Sequence, residues 1–561
     1  MTINADTGVA RSKWTLRKKL LLLMTVSGVL PFLVFSYLSL ITLKEGVTNL
    51  NQNRLVSIRE TKKNQIGDYF KQIKKQVITY SSNHMIIDAM KEFKVAFFAI
   101  EEGSKKLDRS EENKLFERYV YQVEHTFGVS LDAISRWMPK NTTTKLLQSL
   151  YISENPYPVG EKENLDAASD SSTYSQLHQK YHPVIRQFLQ SFGYYDIFLV
   201  DSETGHILYS VYKEVDYATS LKTGPYSNTG IGRAYKGALN LNNRDSFYID
   251  DFKHYEPSYN KPMSFISSPI FEGNQKVGIL IFQIPIDKID DVMTSHREWR
   301  GVGLGLGNSG EAYLLGQDNL MRSNSRLFLE DSERYFKLLE LHGIDPKNID
   351  QQKQENTTVG IMEVNTLGAK ETINGKTGFS IFPDYRGVPV LSAYAPVDVL
   401  GLKWAILAEI DEIESFNVYD ALRGSTVLFI LTLFFIVLCT GIFYSRRLTL
   451  PLQQITKATV RFAEEEEELL LLTSSKDEIG DLARSFQVMF EKVKVRSSEL
   501  RFHKLAINEH AIVSITNTNG DITYVNDLFC EISGYSRDEL MEENHRMLKS
   551  DEHSPEFFED F

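Results

Sequence analysis

STVLFILTLFFIVLCTGIFY, residues Ser425–Tyr444, is a run of 20 residues without a charged side chain, and it decides what kind of fold this chain can have. A second uncharged run, LLLLMTVSGVLPFLVFSYLSLITL, fills the 24 positions from Leu20 to Leu43. A bilayer core of about 30 Å needs about 20 helical residues, so each run can cross a membrane. Pro31 is compatible with a membrane helix because neighbouring helices can compensate for the lost backbone bond. We therefore predict transmembrane helices at 20–43 and 425–444.

A cleaved signal peptide is the alternative for the first run, but the run exceeds the usual apolar region of about 7–15 residues and lacks an A-x-A-type site. Basic residues lie before the first run and after the second. They are Arg11, Lys13, Arg17, Lys18 and Lys19, followed by Arg446 and Arg447. The positive-inside rule then places both termini, including residues 1–19, in the cytoplasm and residues 44–424 outside.

Composition excludes several classes of protein. The net charge of −12 argues against a nucleic-acid-binding protein. Cys439 and Cys530 are the only cysteines, so a disulfide framework and a cysteine-rich zinc site are excluded. Neither apolar run contains a charged residue, so the two runs would make a poor transport path. A chain of 561 residues should contain several hydrophobic cores.

The outer region begins as helix and then changes to strands. Within 46–100, a one-sided apolar stripe recurs at helical spacing, formed by Ile66, Phe70, Ile73, Val77 and Tyr80. Residues 194–211 and 265–286 are predicted hairpins, and 311–325 and 389–410 repeat their patterns. Pro262 and Pro269 have the same spacing as Pro389 and Pro396, and each copy ends in I-D-x-I. Two tandem sheet modules follow from this repetition.

A long helix after a membrane span, two successive α/β modules and a return to the membrane resemble a double-Cache extracytoplasmic sensor domain. The resemblance covers about residues 44–424, with a distal module at about 190–290 and a proximal module at about 300–415. It implies an extracytoplasmic small-molecule ligand, usually in the distal module, clamped between the sheet and a lid of loops.

The segment FYIDDFKHYEPSYNKPMSF, residues 247–265, lies where such a lid is expected. Its candidate ligand-binding residues combine aromatic faces with carboxylates, which suits a small polar ligand. They are Tyr248, Asp250, Asp251, Tyr255 and Tyr259. Tyr248-Ile249-Asp250 resembles the Tyr-x-Asp element of amino-acid-binding Cache domains. The Arg-x-Trp-Tyr-like element is missing, since Arg233-Ala234-Tyr235 departs from it, and a packed lid without a ligand is the alternative.

Gly305–Gly310 fits G-x-G-x-x-G, but it follows a helical pattern and precedes a strand, the reverse of a dinucleotide-binding fingerprint. We therefore predict a connection into the second module. Neither a metal site nor a bound cofactor is predicted anywhere in the chain.

Two heptad seams follow the second apolar run and predict helices that pack in parallel around a shared axis. They comprise Leu448, Leu452, Ile455, Thr459 and Phe462, and then Ile479, Leu482, Phe486, Met489 and Val493. Pro451 suits a first helical turn, and Ser475–Glu478 is a capping box. Residues 445–498 resemble a HAMP domain, with Pro451, Glu478 and Gly480 as signal-relay residues, which implies a homodimer. EEEEELLLL, residues 464–472, is then the connector.

Residues 499–561 resemble the N-terminal half of a PAS domain, through Ile522–Asn526 and Gly534-Tyr535-Ser536. His545 stands where flavin photosensors carry a reactive cysteine, so the resemblance implies no covalent flavin chemistry. The chain stops before the remaining PAS strands, so we expect the sequence to be truncated and the missing C-terminal segment to contain the output domain. We find no catalytic constellation within 1–561.

The whole sequence predicts a multidomain α+β membrane protein with two transmembrane helices, tandem PAS-like Cache modules outside, and a HAMP bundle and partial PAS domain inside. The predicted function is a bacterial inner-membrane receptor, anchored in lipid, that senses an extracytoplasmic small molecule. Three outputs remain open: a two-component histidine kinase, a cyclic-di-GMP synthase or phosphodiesterase of the GGDEF/EAL kind, and a methyl-accepting chemoreceptor. A transporter or a structural anchor is not favoured.

Overall fold

The structure is a computed structural model that describes residues 14–103, 107–298, 305–463, 476–550 and 552. Its helices are α1 (Leu16–Ser81), α2 (His84–Gly103), α3 (Arg109–Glu124), α4 (Ala133–Trp137), α5 (Thr142–Gln148), α6 (Thr173–Phe192), α7 (Gly230–Leu239), α8 (Asp287–Thr294), α9 (Arg326–Glu330), α10 (Ser332–Leu341), α11 (Pro346–Glu355), α12 (Leu367–Ile373), α13 (Glu412–Ala463), α14 (Glu478–His510), α15 (Asp527–Ser533) and α16 (Arg537–Leu540). Its strands are β1 (Asp196–Asp201), β2 (Ile207–Ser210), β3 (Tyr248–Tyr255), β4 (Lys261–Glu272), β5 (Gln275–Pro285), β6 (Glu311–Leu315), β7 (Gly378–Pro383), β8 (Pro389–Val399), β9 (Leu402–Asp411), β10 (Ser514–Thr516) and β11 (Ile522–Val525). The chain divides into two compact units, Ser39–Arg423 and Met1–Leu38 with Gly424–Phe561.

Helices α1 and α13 are each long and apolar enough to cross a membrane. Their apolar side chains are not covered by protein: Leu23, Phe35 and Phe435 are each about two-thirds exposed (68%, 70% and 66%). Water does not favour such surfaces, whereas lipid does. Pro31 lies inside α1 without ending the helix, as the sequence predicted.

Within the unit Ser39–Arg423, the first sheet has five antiparallel strands in the order β2-β1-β5-β4-β3. Adjacent residues of a strand point to opposite faces. The Ser267 hydroxyl donates to the Ala234 carbonyl of α7 at 2.8 Å, while the Ser268 hydroxyl lies 3.0 Å from that of Ser81 in α1. Helices therefore cover both faces, and the middle strands are almost completely buried.

The second sheet has four antiparallel strands in the order β6-β9-β8-β7. Helix α12 packs on it and contributes to a core that includes Tyr313, Ala369 and Leu407. The repeated hairpins appear as β4–β5 and β8–β9, and each repeat's I-D-x-I leads from the last strand into a helix. Two sheets of similar construction therefore follow one another along the chain.

The structure differs from the sequence prediction for 311–325. Only β6 forms there, and residues 320 and 321 make isolated bridges instead of a second strand. Polar side chains take hydrogen bonds that a ladder would use: the Ser323 hydroxyl accepts from Leu314 N at 3.1 Å, and Asn324 N donates to Asp290 at 2.7 Å. Local side-chain bonds of this kind compete with regular strands.

The prediction that 247–265 forms a lid of loops is also wrong. Residues 248–255 form β3, the edge strand of the first sheet, paired with β4 from Tyr248↔Ser267 to Tyr255↔Lys261. A bulge between Asp250 and Lys253 interrupts the pairing. The strand forms because Ile249 and Phe252 bury their side chains in the core of this unit.

The end of α13 packs against α14 through a small core of Ile455, Ala458, Ala483 and Phe490. The rings of Phe462 and Phe490 stack with centroids 4.4 Å apart. Leu448, Leu482, Met489 and Val493 of the predicted seams remain 37–48% exposed. A single chain therefore buries only part of the two seams.

Two details of this segment differ from the sequence prediction, and a third lies outside the described residues. Pro451 lies inside α13 and not in a first turn, because the helix runs from Glu412 to Ala463 and tolerates the one missing N–H. The N-cap of α14 is Asp477, whose carboxylate accepts from Gly480 N at 3.0 Å, while Glu478 is the first helical residue. Ser475 and the connector 464–472 lie outside the described residues.

After α14, strands β10 and β11 pair as a hairpin and are followed by α15 and α16. Ile522, Val525, Phe529 and Leu540 form their core. His545 starts a short 3-10 helix, and its Nε2 lies 2.9 Å from the Ser514 hydroxyl.

Candidate ligand site on the first sheet

A buried carboxylate fixes the segment that follows β2. Asp196, the first residue of β1, accepts hydrogen bonds from the Ser210 hydroxyl at 2.6 Å, Val211 N at 2.9 Å and Tyr212 N at 3.1 Å. Burial raises the pKa of Asp196 to about 7, although the hydrogen bonds from the Ser210 hydroxyl and Tyr212 N lower it. The carboxylate thus turns the chain at 210–212, so that the charged residues after it lie inside the protein.

Those residues include two acids, Glu214 and Asp216, which are 3% and 0% exposed. The Tyr195 hydroxyl donates to Glu214 Oε1 at 3.3 Å, and the Tyr255 hydroxyl donates to Asp216 Oδ2 at 2.5 Å. Burial raises the pKa of Glu214, and it raises the pKa of Asp216 to about 7.

Gln283 is linked to this cluster through Ser258, because its Nε2 donates to the Ser258 hydroxyl at 2.9 Å and that hydroxyl hydrogen-bonds to Tyr195. Four polar atoms of the cluster are buried and have no hydrogen-bond partner among the described residues. They are Glu214 Oε2, Asp216 Oδ1, Gln283 Oε1 and the Tyr226 hydroxyl oxygen. Three of the four can only accept hydrogen bonds when the acids are ionised. Burying an unpaired acceptor is costly, so the arrangement favours a molecule that brings donors.

Aromatic rings surround the two acids. The Tyr226 and Tyr255 ring centroids are 6.3 Å apart, and Tyr255 meets Phe265 edge-on at 5.0 Å. Tyr195 stacks on Tyr212 at 5.0 Å. Acidic groups between aromatic faces can hold a small organic cation, since the rings attract positive charge and the carboxylates neutralise it.

The ammonium group of Lys213 is not the cation that pairs with Glu214 and Asp216. Its ammonium donates to the carbonyls of Ser210 at 2.7 Å and Val211 at 3.2 Å instead of to Glu214 or Asp216. It lies between the rings of Tyr151, Tyr209 and Tyr217 at 5.2–5.8 Å from their centroids. Burial lowers the pKa of Lys213, while Asp196 raises it.

The structure separates the five residues predicted from the sequence. Tyr255 belongs to the acidic cluster through Asp216. Tyr259 has a left-handed backbone with φ of 57°, and its pKa is raised by burial and by nearby Glu214. Tyr248 packs on α7 so closely that a Cβ on Gly237 would lie 2.2 Å from its ring.

The other two predicted residues have other partners. Asp250 pairs with Arg233, with both contacts at 2.8 Å, so the departure from the Arg-x-Trp-Tyr pattern still supplies an arginine for this strand. Asp251 accepts from Arg322 at 2.9 and 3.1 Å and from Trp404 Nε1 at 3.2 Å. Arg322 and Trp404 belong to the second module, so Asp251 joins the two modules and lies apart from the acidic cluster.

A second link between the modules also starts from β3. His254 Nδ1 lies 2.8 Å from a Glu355 carboxylate oxygen. Burial lowers the pKa of His254, but Glu355 raises it by more in combination with two backbone contacts, and the net pKa is raised. The edge strand β3 therefore contacts the acidic cluster through Tyr255 and the second module through Asp251 and His254.

Sequence reasoning missed Asp196, Glu214 and Asp216. A usable signal was present, because Lys213–Asp216 places three charged residues between Tyr209 and Ala218 in an otherwise apolar and aromatic stretch. Charges flanked by buried residues directly after a strand are unusual on a surface loop and are typical of functional sites.

Comparison with protein families matches three domain models to the chain: a Cache domain at 117–418, a HAMP domain at 443–494 and a PAS fold at 501–560. The Cache match alone covers more than half of the chain, and the protein belongs to the Cache domain family. The three domains and two apolar helices define a bacterial Cache–HAMP–PAS sensor, a signal transducer of the inner membrane. The resemblances predicted from the sequence are confirmed at this level.

Several solved structures are similar to parts of the chain. The ligand-binding domain of the Pseudomonas fluorescens chemoreceptor CtaA with L-serine has 12% identity and a TM-score of 0.26, covering 40% of this chain and 76% of that chain. The ligand-binding domain of the Pseudomonas aeruginosa PAO1 chemoreceptor PctC with GABA has 10% identity and a TM-score of 0.25, covering 40% and 80%. The sequence matches none of the curated proteins compared with it.

Proposed function

We propose that this sensor detects a small organic cation, carrying an ammonium or guanidinium group, at the acidic cluster formed by Glu214 and Asp216 with Tyr226, Tyr255 and Gln283. One observation carries the proposal: the buried oxygens Glu214 Oε2, Asp216 Oδ1 and Gln283 Oε1 have no partner within the described parts of the chain. A ligand N–H group supplies the missing donors, and its positive charge compensates two buried acids. A polar network that serves packing alone is the competing interpretation.

The relay that we propose runs through β3. A ligand that contacts Tyr255 also contacts β3, the strand that contains Asp251 and His254. Asp251 pairs with Arg322, and His254 pairs with Glu355, both in the second module. The last strand of that module, β9, ends at Asp411, and α13 begins at the next residue. Binding shifts such an arrangement only by the difference in affinity between its two states.

Membrane topology and assembly complete the proposal. The first module is distal and the second proximal in a double-Cache region at 44–424 outside the membrane, with spans at 20–43 and 425–444 and both termini in the cytoplasm. The HAMP segment 445–498 forms a homodimer, which is supported by the exposed seam residues Leu482, Met489 and Val493. Reporters fused after residues 250 and 498 should fall on opposite sides of the membrane, and the same side for both contradicts the topology.

The output that we propose is a histidine kinase acting through the PAS domain at 499–561, with a GGDEF/EAL enzyme or a chemoreceptor as alternatives. Pro451, Glu478 and Gly480 act as relay residues in this scheme. ATP-dependent autophosphorylation of the protein in membranes distinguishes a kinase from the other two, since neither alternative transfers phosphate from ATP to histidine.

Ligand binding should depend on the charge of the acidic cluster. With the full chain in detergent micelles, we expect at least one amine of a metabolite panel to raise the midpoint of thermal unfolding, and its neutral isostere to have no effect. Asp216→Asn should weaken that amine about 10- to 100-fold, since a charge-assisted hydrogen bond contributes roughly 1.5–3 kcal/mol. Affinity should also increase as the pH rises through about 7, because burial places the pKa of Asp216 there and only the ionised acid attracts a cation.

Two controls make this result decisive. Asp245→Asn changes an exposed acid in the loop before β3 and should leave the affinity unchanged. Glu214→Gln should reproduce the loss of affinity seen for Asp216→Asn. The pH dependence should also be measured in Asp196→Asn, because the charge of Asp196 raises the pKa of Asp216. Equal binding of the amine and its neutral isostere contradicts the proposal.

A further inference from the structure

A histidine near the end of the edge strand β3 is surrounded by hydrogen-bond acceptors. His254 Nδ1 lies 2.8 Å from the Asn260 carbonyl oxygen and 2.8 Å from Glu355 Oε2. The side chains of His254 and Glu355 are 22% and 3% exposed. A carbonyl and an ionised carboxylate can only accept hydrogen bonds, so Nδ1 of His254 has to carry a proton.

The other ring nitrogen of His254 faces the second module. Gly360 comes so close that a Cβ there would lie 3.0 Å from His254 Nε2, and its φ of 71° also favours glycine. Burial lowers the pKa of His254, but Glu355 and the backbone of Asn260 and Gly360 raise it by more. A neutral imidazole has a single N–H group, whereas both nitrogens of His254 face acceptors. The surroundings of the ring are therefore those of a charged imidazolium.

The partner carboxylate is held in place by neutral groups. Glu355 is the last residue of α11, and its Oε1 accepts from Gln351 Nε2 at 3.0 Å and from Asn260 Nδ2 at 3.3 Å. When the imidazole of His254 loses its proton, this buried carboxylate keeps the two amides and loses its charged partner. Removing the charge of one partner in a buried ion pair is destabilising.

Two other contacts between the modules respond differently to pH. Burial lowers the pKa of Arg322, but its pairing with Asp251 raises it by more, so this contact stays charged in neutral and alkaline solution. Asp290 of α8 accepts from Asn324 N at 2.7 Å and from Asn324 Nδ2 at 2.6 Å. Burial raises the pKa of Asp290 to about 6, so Asp290 is already ionised above about pH 7. Of these three contacts, the one made by His254 is therefore the one whose charge changes on the alkaline side of neutrality.

We infer that His254 and Glu355 form a pH-sensitive latch between the two modules, closed by the protonated imidazole and released when the ring becomes neutral. A group whose pKa is raised on folding stabilises the folded contact at low pH and loses that contribution as the pH rises through the raised value. The ordinary pKa of histidine is about 6.5, so the latch is closed below about pH 6.5 and opens as the solution becomes alkaline. Under the topology proposed above, the latch responds to the pH outside the cell. It is independent of the proposed ligand, because neither residue belongs to the acidic cluster.

Hydrogen–deuterium exchange of the full chain in detergent micelles tests the latch. At about pH 6, the amides of segment 355–361 should exchange about tenfold faster in His254→Gln than in the unchanged protein, because glutamine cannot supply the positive charge. At about pH 9 the two proteins should exchange equally fast, because the histidine is then neutral as well. Comparing the two proteins at the same pH cancels the effect of pH on the chemical exchange rate.

Two further variants separate the latch from a general disturbance of folding. Glu355→Gln should also accelerate exchange at about pH 6 and not at about pH 9, because the ion pair is lost from its other side. Lys253→Gln removes an exposed positive charge from the neighbouring position of β3 and should behave as the unchanged protein at both pH values.

The unchanged protein provides a test that needs no variant. Protection of segment 355–361 should fall relative to that of β9 as the pH rises from about 6 to about 9. A constant ratio overturns the latch. Equal acceleration by His254→Gln at both pH values, or no acceleration at either, overturns it as well.

Discussion

Arg322→Met should reduce the free energy of unfolding of the sensor region by about 3–5 kcal/mol, the usual cost of removing one partner of a buried ion pair. Arg322 is 2% exposed and is shared by Asp251 and Asp318. Methionine fills much of the volume, but Trp404 is then the one side-chain donor to the Asp251 carboxylate among the described residues of the second module. Urea denaturation of the full chain, followed by tryptophan fluorescence, measures the change, and Trp404 reports on this contact.

The exposed ion pair between Lys91 and Glu272 provides the matched control. Its side chains are 42% and 50% exposed, so Lys91→Met should leave the free energy of unfolding nearly unchanged. The double variant Arg322→Met with Asp251→Asn should recover part of the loss, because the uncompensated charge is gone. Equal effects of Arg322→Met and Lys91→Met contradict a role for Arg322 in joining the modules.

Asp196→Ala should be similarly damaging. The substitution removes the carboxylate that accepts from the Ser210 hydroxyl, Ile197 N and Tyr212 N, while Val211 N keeps the Ile197 carbonyl at 3.3 Å. Each unsatisfied buried donor costs roughly 1–3 kcal/mol, so we expect a loss of about 3 kcal/mol or more. The same urea titration gives the value. Ligand binding should disappear in parallel, because the turn that places Glu214 and Asp216 is lost.

Asp196→Asn distinguishes the hydrogen bonds from the charge. Its amide oxygen can still accept from Val211 N and Tyr212 N, and its amide N–H groups can donate to the Ser210 hydroxyl. We therefore expect less than half of the destabilisation found for alanine. A loss as large as that of Asp196→Ala shows that the negative charge, and not the hydrogen bonding, holds the turn.

The sequence predicted the elements that depend on local spacing. The apolar run Ser425–Tyr444 lies within α13, and the hairpin predicted at 265–286 is formed by β4 ending at Glu272 and β5 starting at Gln275. The Cache, HAMP and PAS resemblances are confirmed by the family models. Such features follow from periodicity and turn chemistry, which a short stretch of sequence contains completely.

The candidate site could not be predicted in the same way. Tyr248–Tyr259 was a reasonable choice by composition, but adjacent residues of β3 have different partners: Asp250 pairs with Arg233, 17 residues away, and Asp251 with Arg322, 71 residues away. The position of Pro451 could not be predicted from local sequence either, because it lies inside a helix only as a result of α13 running without a break from Glu412 to Ala463. Partners at such separations are set by strand order and helix length.

What the sequence determined by itself is the sequence of elements along the chain: membrane-length apolar helices, an outer α/β region, heptad helices and a PAS-like end. The tertiary structure alone decided which charges are buried together, namely Glu214 with Asp216 on the first sheet and Glu311 with Glu409 on the second. The physical reason is that secondary structure arises from interactions between near neighbours. The environment of a charged group depends instead on every segment that packs around it and on the water those segments exclude.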